Sequence, residues 1–403
     1  MRLTTSLYTR VKCGLRSVVE IMKVLNDIFD NFLGEVPCYN TIRIWMEKCG
    51  LKVYNDAGES MKGIDYALIT DESMMIGREK LLLTLAVPAK HQGKPLSCED
   101  VSVVDVAVAE SWNGENVGVQ LQKASEKVGY NPDYVTTDNG SIMNKGVRCA
   151  KMVHHHDISH SLAMHAERAY GKEVDFIEYV ALMTKSKFKY NMTKIAYMLP
   201  PNQRTISRFM NLSHWVKWSS KMLDKYDSLS VDEQKAFSYI PTNASFIDEL
   251  SDVVECIERI EHLCKHNGLS KETVCKCEKV IQTNLLNGNS RMINLGESIK
   301  EYLRNEEMLL ETDTPPRNNS TDIIESVFGK FKDSKSPNKM NGITKHILFL
   351  PIYTKLKNRE QANRFDFKGA LEDIRIGDID DWAKKNLTQN LVQLRRKRLQ
   401  KTG

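Results

Sequence analysis

Three acidic residues stand where a carboxylate could reach a bound metal ion. Asp71 and Asp138 each follow a short apolar stretch, residues 64–70 and 134–137, that predicts a β-strand. Glu325 lies in a segment whose apolar residues recur with helical spacing. Carboxylate oxygens are the ligands that Mg²⁺ prefers, and paired Mg²⁺ ions are a common means of cleaving phosphodiesters. The three acids therefore point to divalent-metal and phosphate chemistry.

The helix that carries Glu325 has one apolar stripe, formed by Ile324, Val327, Phe328 and Phe331. Glu325 and Lys332 are seven residues apart and lie on nearly the same side, beside this stripe. A lysine two turns from a carboxylate could contact a backbone phosphate. The pattern Asp322-x-x-Glu325 also fits a capping box, in which Glu325 only satisfies N–H groups at the helix start.

The two aspartates have an ordinary alternative as well. A single aspartate at the end of a strand is usually a turn residue or a helix cap. Glu72 competes with Asp71 for a functional role, but strand alternation puts Glu72 on the other face. Two aspartates at the ends of the first and fourth predicted strands are more informative than either alone.

The predicted elements follow the order β-β-β-α-β-α-β-α, which indicates an α/β fold. The first three strands, 64–70, 81–87 and 101–109, are expected to form an antiparallel meander. The remaining elements of this block are helix 116–129, strand 134–137, helix 141–151, strand 153–156 and a helix at about 161–170. Residues 172–312 have helical patterns throughout. Trp215 and Trp218 within them either pack in the core, the favoured alternative, or stack on a nucleic-acid base.

Both ends of the chain suggest DNA binding. Helices predicted at 14–33 and about 40–49, with Gly50 closing the second, resemble a helix-turn-helix in which Arg43 and Lys48 point outward. Any helical hairpin gives the same pattern. After Asp381 the chain has no acidic residue, and its basic residues include Arg395, Arg396, Lys397 and Arg398. Such a tail is either a polyanion-binding segment or a solvated helix end.

Composition bounds the remaining possibilities. The 403-residue chain has a net charge of +5 and is long enough for two or three domains. We see no secretory signal and no apolar run of the roughly 18 to 20 residues that span a bilayer. Nine scattered cysteines indicate a reduced, intracellular protein. Zinc binding is not expected at Cys264, His266, Cys275 and Cys277, and His154, His155 and His156 would alternate faces of a strand.

Four features together resemble a DDE transposase with a ribonuclease H-like catalytic core, of the bacterial insertion-sequence kind. They are the strand ending Ile69-Thr70-Asp71, the strand ending Thr136-Thr137-Asp138, the Asp157-x-x-His160 pair and the Glu325 helix. The Asp157–His160 pair is similar to a C/D-x-x-H motif of several transposase superfamilies. The Glu325–Lys332 spacing matches an E-x6-K ending, but Thr321 stands where that signature has arginine, and its tyrosine is missing.

The resemblance implies a ribonuclease H-like five-stranded mixed sheet, with strands one and four adjacent, a large all-α insertion and an N-terminal helix-turn-helix. It implies a DNA-binding region at 1–58, catalytic core at 60–171 and 317–355, an insertion at 172–316 and a basic tail at 356–403. The implied activity is cleavage of DNA at transposon ends and strand transfer into target DNA. Asp71, Asp138 and Glu325 would bind two Mg²⁺ or Mn²⁺ ions, and Lys330 and Lys332 would contact DNA.

The resemblance also implies a cytoplasmic, nucleoid-associated protein that acts as a homodimer or larger assembly on DNA, away from membranes. Asp157 and His160 would be accessory residues, although a capping aspartate with a satisfied histidine fits equally well. Three alternatives remain: a catalytically inactive, transposase-derived DNA-binding protein; a ribonuclease H-like nuclease without strand transfer; and a transcription factor that uses only the helix-turn-helix. The large strand-built core makes the last of these improbable.

Overall fold

The computed structural model describes residues 1–73, 75–202, 209–311, 313–334, 342–388 and 391–400. The chain forms two compact units. The first comprises Met1–Lys90, Pro95–His155 and Thr321–Gly403, and it contains the β-sheet. The second comprises His91–Lys94 and His156–Ser320, and the regular elements described in it are helical.

The sheet has five strands: β1 (Tyr66–Glu72), β2 (Lys80–Pro88), β3 (Ser102–Ala109), β4 (Val135–Thr137) and β5 (His154–His156). Their spatial order is β3-β2-β1-β4-β5. The β1–β2 and β2–β3 pairs are antiparallel, and the β1–β4 pair is parallel. The predicted α/β class, the antiparallel meander and the adjacency of the first and fourth strands are therefore confirmed.

The first unit begins with α1 (Arg2–Thr9), α2 (Leu15–Ile28) and α3 (Tyr39–Asn55), and it continues with α4 (Gly114–Val128) and α5 (Ser141–Ala150). The sequence patterns did not predict α1, and they ended the third helix too early, at Gly50. Gly50 is a close-packing position and not a helix end. A Cβ there would lie 1.9 Å from the carbonyl oxygen of Leu348.

The second unit contains eight helices in its described part: α6 (Ile158–Tyr170), α7 (Val174–Tyr190), α8 (Leu212–Lys225), α9 (Val231–Ala236), α10 (Tyr239–Thr242), α11 (Ala244–Asn267), α12 (Lys271–Asn284) and α13 (Ser290–Met308). Trp215 is buried in its core, against Phe176, and the indole of Trp218 donates to the Met198 carbonyl. The prediction that these tryptophans belong to the core is confirmed for Trp215, and Trp218 packs against the same cluster.

The chain returns to the first unit with α14 (Asp322–Ser334), α15 (Phe349–Lys355), α16 (Arg359–Arg364), α17 (Phe367–Asp373), α18 (Ile376–Asn386) and α19 (Leu391–Gln400). Short 3₁₀ helices lie at Glu59–Met61, Ala196–Met198, Tyr226–Ser228 and Lys345–Leu348. None of the helices in the described part of the chain is long and apolar enough to cross a membrane.

Two apolar layers cover the sheet, one on each face. Strand alternation divides β1 between them: Ala67 and Ile69 pack with α14, whereas Tyr66 and Leu68 pack with α4 and α5. The α14 side chains in the first layer are Ile323, Ile324, Val327, Phe328 and Phe331. The apolar stripe read from the sequence is therefore the buried face of this helix.

Candidate active site

The register between β1 and β4 sets the relationship between the two aspartates. Leu68 pairs with Val135, and Ile69 pairs with Thr136. Asp71 and Asp138 each lie two residues beyond the second pair, and the same 67-residue offset separates them. Adjacent strands are about 4.8 Å apart. The two carboxylates are thus carried by neighbouring strands at the same edge of the sheet.

Asp71 points to the sheet face that α14 covers. Its side chain shares a face with Ala67 and Ile69, because side chains two residues apart along a strand point the same way. Asp71 is half-buried, and its Oδ1 accepts a hydrogen bond from the Glu72 amide at 2.7 Å. Glu72 is bound on its own face by Lys80, with 2.6 Å between Nζ and Oε1. The alternation argument that favoured Asp71 over Glu72 agrees with these contacts.

Asp138 occupies the turn between β4 and α5. The Gly140 amide donates to Asp138 Oδ1 at 3.0 Å, which holds the carboxylate close to the start of the helix. A Cβ at Gly140 would also lie 3.0 Å from that oxygen, so the position has little room for a side chain. Thr136 and Thr137 before it are fully buried. The strand anchors the residue while its carboxylate stays partly accessible.

Glu325 lies on α14 with its side chain exposed. Its carboxylate makes no hydrogen bond or ion pair with any residue that the structure describes. The helix begins at Asp322, so the capping position falls on Thr321 and Asp322 stands in the first turn. The expectation that Asp322 is the cap is wrong by one residue. Lys332 is exposed on the same side as Glu325, as the helical spacing predicted.

The structure does not assemble these acids into a finished metal centre. Among the residues it describes, no three His, Cys, Asp or Glu side chains are grouped closely enough to hold a metal ion. It brings Asp71 and Asp138 to neighbouring strands and puts Glu325 on the helix that covers Asp71's face of the sheet. The prediction of a two-ion site stays a prediction.

Asp157 and His160 form a local pair in the second unit. Asp157 is fully buried and caps α6, accepting from the His160 amide at 2.7 Å. The same carboxylate oxygen lies 2.8 Å from His160 Nδ1. The capping alternative accounts for both residues. The second unit begins at His156, earlier than the predicted insertion boundary at residue 172, and α6 belongs to it.

The consecutive histidines 154–156 have three different partners, as alternation along a strand predicts. His154 Nε2 lies 2.8 Å from Thr137 Oγ1, and the His155 ring meets the edge of Tyr134. His156 Nδ1 lies 2.9 Å from Glu306 Oε1, an acid that is itself buried. Each of these histidines therefore contacts a different part of the structure.

The cysteine and histidine set considered for zinc is also divided. The thiols of Cys264 and Cys277 face each other across α11 and α12, with 3.9 Å between sulfurs, and both are buried. Cys275 is exposed, and His266 stacks on His262. The spacing argument against a zinc finger agrees with this separation.

Two of the residues predicted to bind DNA have intramolecular partners. Arg43 forms an ion pair with Glu47 at 2.5 Å, and Lys48 Nζ donates to the Leu371 carbonyl at 2.5 Å. Burial raises the pKa of Glu47, and Arg43 opposes that shift. Most of the second half of α3 is buried. The more accessible residues of α3 lie in its first half, around Arg43, and the helix-turn-helix role of this helix stays a prediction.

The other predicted DNA contacts are more accessible. Lys330 donates to the Cys98 thiol, and Lys332 is exposed. Arg395, Arg396, Lys397 and Arg398 are exposed along α19, where Leu391 and Leu394 form the more buried side. The tail is thus a basic helix. Both interpretations of it, a polyanion-binding segment and a solvated helix end, stay predictions.

Sequence reasoning missed a basic groove in the first unit. The groove has a volume of about 1810 Å³, and its wall includes Arg10, Lys12, Arg16, Lys357 and Arg359. The sequence feature that points to this groove is the spacing of Arg10, Lys12 and Arg16 near the N-terminus. Without a predicted α1, the sequence does not indicate that these three residues share a surface.

Comparison of the chain with models of known protein families, and with curated proteins, finds no match.

Proposed function

We propose that this protein is a DDE transposase, a ribonuclease H-like enzyme that cleaves DNA at transposon ends and joins the freed ends to target DNA. Asp71, Asp138 and Glu325 are its catalytic acids. The proposal rests on the strand arrangement and on the positions of these three residues.

The register of β1 and β4 is the observation that carries the proposal. It gives Asp71 and Asp138 the same offset as the paired residues before them, on neighbouring parallel strands. The strand order β3-β2-β1-β4-β5 makes the first and fourth strands neighbours, as the resemblance implies. The third acid is supplied by α14, which packs on the face of β1 that carries Asp71. A long helical unit precedes α14 in the chain, as expected for an insertion before the third acid.

The donor set suits Mg²⁺ or Mn²⁺. Three carboxylates offer hard oxygen ligands, and they are half-buried or exposed, so each remains reachable from solvent. Two bound ions would activate a water or 3′-hydroxyl nucleophile and stabilise the leaving oxygen. The sheet edge fixes the Asp71 and Asp138 backbones, and Lys332, exposed beside Glu325, is available to a backbone phosphate.

The experiment that tests the proposal uses DNA carrying the sequences that flank this gene. The full-length protein is incubated with this DNA and a target plasmid, with MgCl₂ or with EDTA. Metal-dependent cuts at defined positions, with free 3′-hydroxyl ends joined to the plasmid, are the expected result. Cutting without joining would identify a nuclease instead, and binding without cutting would identify an inactive derivative.

A further inference from the structure

The basic groove lies entirely within the first unit and is larger than a small-molecule site needs. Its volume of about 1810 Å³ exceeds the roughly 300–1,000 Å³ typical of pockets for small ligands. Of the described residues that line it, nine are Lys or Arg and five are Asp or Glu. His346, which also lines it, adds no charge near neutral pH because burial lowers its pKa to about 4. The groove is therefore electropositive.

Four of the cations that line the groove have intramolecular partners. Arg43 is paired with Glu47, and Lys345 is paired with Asp380. Lys384 lies 2.9 Å from Asp381, and Lys330 donates to Cys98. These four cations stabilise the wall and offer little net charge to a ligand.

Five other cations form what we call the basic rim: Arg10, Lys12, Arg16, Lys357 and Arg359. Their side chains make no ion pair with any residue in the described part of the chain. Arg16 lies over the ring of Tyr39, 5.5 Å from its centroid. Four of the five are exposed, and Lys357 is half-buried. The rim thus holds uncompensated positive charge at the solvent edge of the groove.

The fold brings the two halves of the rim together. Arg10 and Lys12 lie in the turn between α1 and α2, and Arg16 lies in the first turn of α2. Lys357 lies in the turn before α16, which begins at Arg359. Thr9 Oγ1 donates a hydrogen bond to the Leu356 carbonyl at 3.2 Å. Arg10 and Lys357 are the next residues in the chain after these two partners, so the hydrogen bond brings them close together. Glu360, the nearest acid in sequence, is paired with Arg364.

The groove is distinct from the surface that carries Glu325. Successive residues of a helix are about 100° apart. The α14 residues that line the groove are Asp322, Ile323, Ser326, Lys330 and Asp333. Glu325 and Lys332 flank this face of α14 and do not line the groove, nor do Asp71 and Asp138.

We propose that the basic rim binds the sugar–phosphate backbone of DNA, at a site separate from the catalytic acids. The assignment of DNA as the polyanion rests on the proposed function. Exposed, unpaired lysines and arginines bind phosphates by displacing condensed counterions, a contribution that does not depend on base sequence. In this proposal the groove binds the DNA, and the sheet edge that carries Asp71 and Asp138 cleaves it.

The test compares full-length variants by fluorescence anisotropy with a labelled DNA duplex of random sequence. The rim variant carries Arg10→Gln, Lys12→Gln and Arg359→Gln. A matched control carries Lys62→Gln, Lys123→Gln and Arg148→Gln, which remove equal charge from exposed positions elsewhere in the first unit. Circular dichroism and thermal melting verify that both variants fold.

The rim variant is expected to bind at least tenfold more weakly, and the control within twofold of wild type. The slope of log Kd against log salt should fall by about two to three in the rim variant, since each lost duplex phosphate contact changes it by about 0.9. Equal affinity and slope in both variants would overturn the inference. Tighter binding of inorganic polyphosphate than of DNA by the wild-type protein would also overturn the inference.

The cleavage assay separates this inference from the proposed function. If the rim variant binds DNA normally and Asp71→Asn abolishes metal-dependent cleavage, the inference about the basic rim is wrong and the proposed transposase activity stands. If DNA binding depends on the rim but no metal supports cleavage, the DNA site stands and the proposed transposase activity is wrong.

Discussion

Asp71 and Asp138 each stand two residues beyond the paired position of Ile69 with Thr136, Asp71 within β1 and Asp138 in the turn that follows the parallel strand β4. Because the offset along the chain is constant, a shift of either strand by one residue would separate the two acids and turn one to the opposite face. The catalytic hypothesis therefore depends on this register.

Gly140 is expected to control the position of the Asp138 carboxylate. The Gly140→Ala variant puts a methyl group 3.0 Å from Asp138 Oδ1, so that this carboxylate oxygen has to shift by a few tenths of an ångström. We expect metal-dependent cleavage to fall by about tenfold or more, because displacing a catalytic group by 1 Å can cost about 100-fold. Gly377→Ala is the control, since its Cβ meets no atom within 4 Å. Equal loss of activity in both variants would contradict the expectation.

Asp157 is expected to stabilise the second unit and to take no part in metal binding. Asp157→Ala removes the α6 cap and the partner of His160 at a fully buried position. Chemical denaturation should show a loss of about 2 kcal/mol, against about 1 kcal/mol for the exposed α4 cap in Asn113→Ala. Cleavage per folded molecule should stay near wild type. Loss of cleavage at unchanged stability would instead make Asp157 a catalytic residue.

Arg291 is expected to hold several helices of the second unit together. Its guanidinium contacts Asp175 at 2.8 Å and Glu249 at 3.0 Å, and it lies 5.0 Å from the centre of the Tyr170 ring. Arg291→Met should lower the free energy of unfolding by about 2–3 kcal/mol, because Glu249 loses the cation that it pairs with while remaining mostly buried, and keeps only hydrogen bonds from Tyr170 and Asn289. Arg291→Lys should recover only part of this, since lysine lacks the planar fork. Full recovery with lysine would show that charge alone is needed.

His346 is expected to make the first unit less stable in mild acid. Burial lowers its folded-state pKa to about 4, whereas an unfolded histidine titrates near 6.5. Below pH 6.5 the unfolded chain binds a proton that the folded chain does not, so stability falls as the pH drops from 6.5 toward 4. The loss is on the order of 3 kcal/mol.

The measurement for His346 is thermal melting across that pH range in wild type and His346→Gln. The variant should have a flatter pH dependence, and His91 and His165, whose pKa values burial also lowers, contribute to the slope that remains. Identical curves for both proteins would contradict the assignment to His346.

Local patterns in the sequence were enough to predict the sheet and the face that α14 buries. Apolar runs of seven to nine residues located the first three strands, and the Ile324–Phe331 stripe located the buried face of α14. Both signals are carried by residues close together in the chain, so periodicity alone revealed them.

Long-range packing decided what the patterns missed. Gly50 resembles a helix end, but it allows α3 to approach the Leu348 backbone, a contact nearly 300 residues away in the chain. Lys48 looks like an outward-facing charge, yet its Nζ donates a hydrogen bond to the Leu371 carbonyl, 323 residues away in the chain. The basic rim likewise requires α1 to meet the α15–α16 turn. No spacing rule reveals such partners.

The most direct test of the catalytic hypothesis is a metal-dependent DNA cleavage assay on four variants of the full-length protein. Asp71→Asn, Asp138→Asn and Glu325→Gln should each reduce the cleavage rate by about 10³-fold or more, since each removes a ligand from metal ions that stabilise the transition state by several kcal/mol. Glu72→Gln, the neighbour of Asp71 that pairs with Lys80, should cleave at close to the wild-type rate. Cleavage that survives Asp71→Asn or Glu325→Gln would contradict the account.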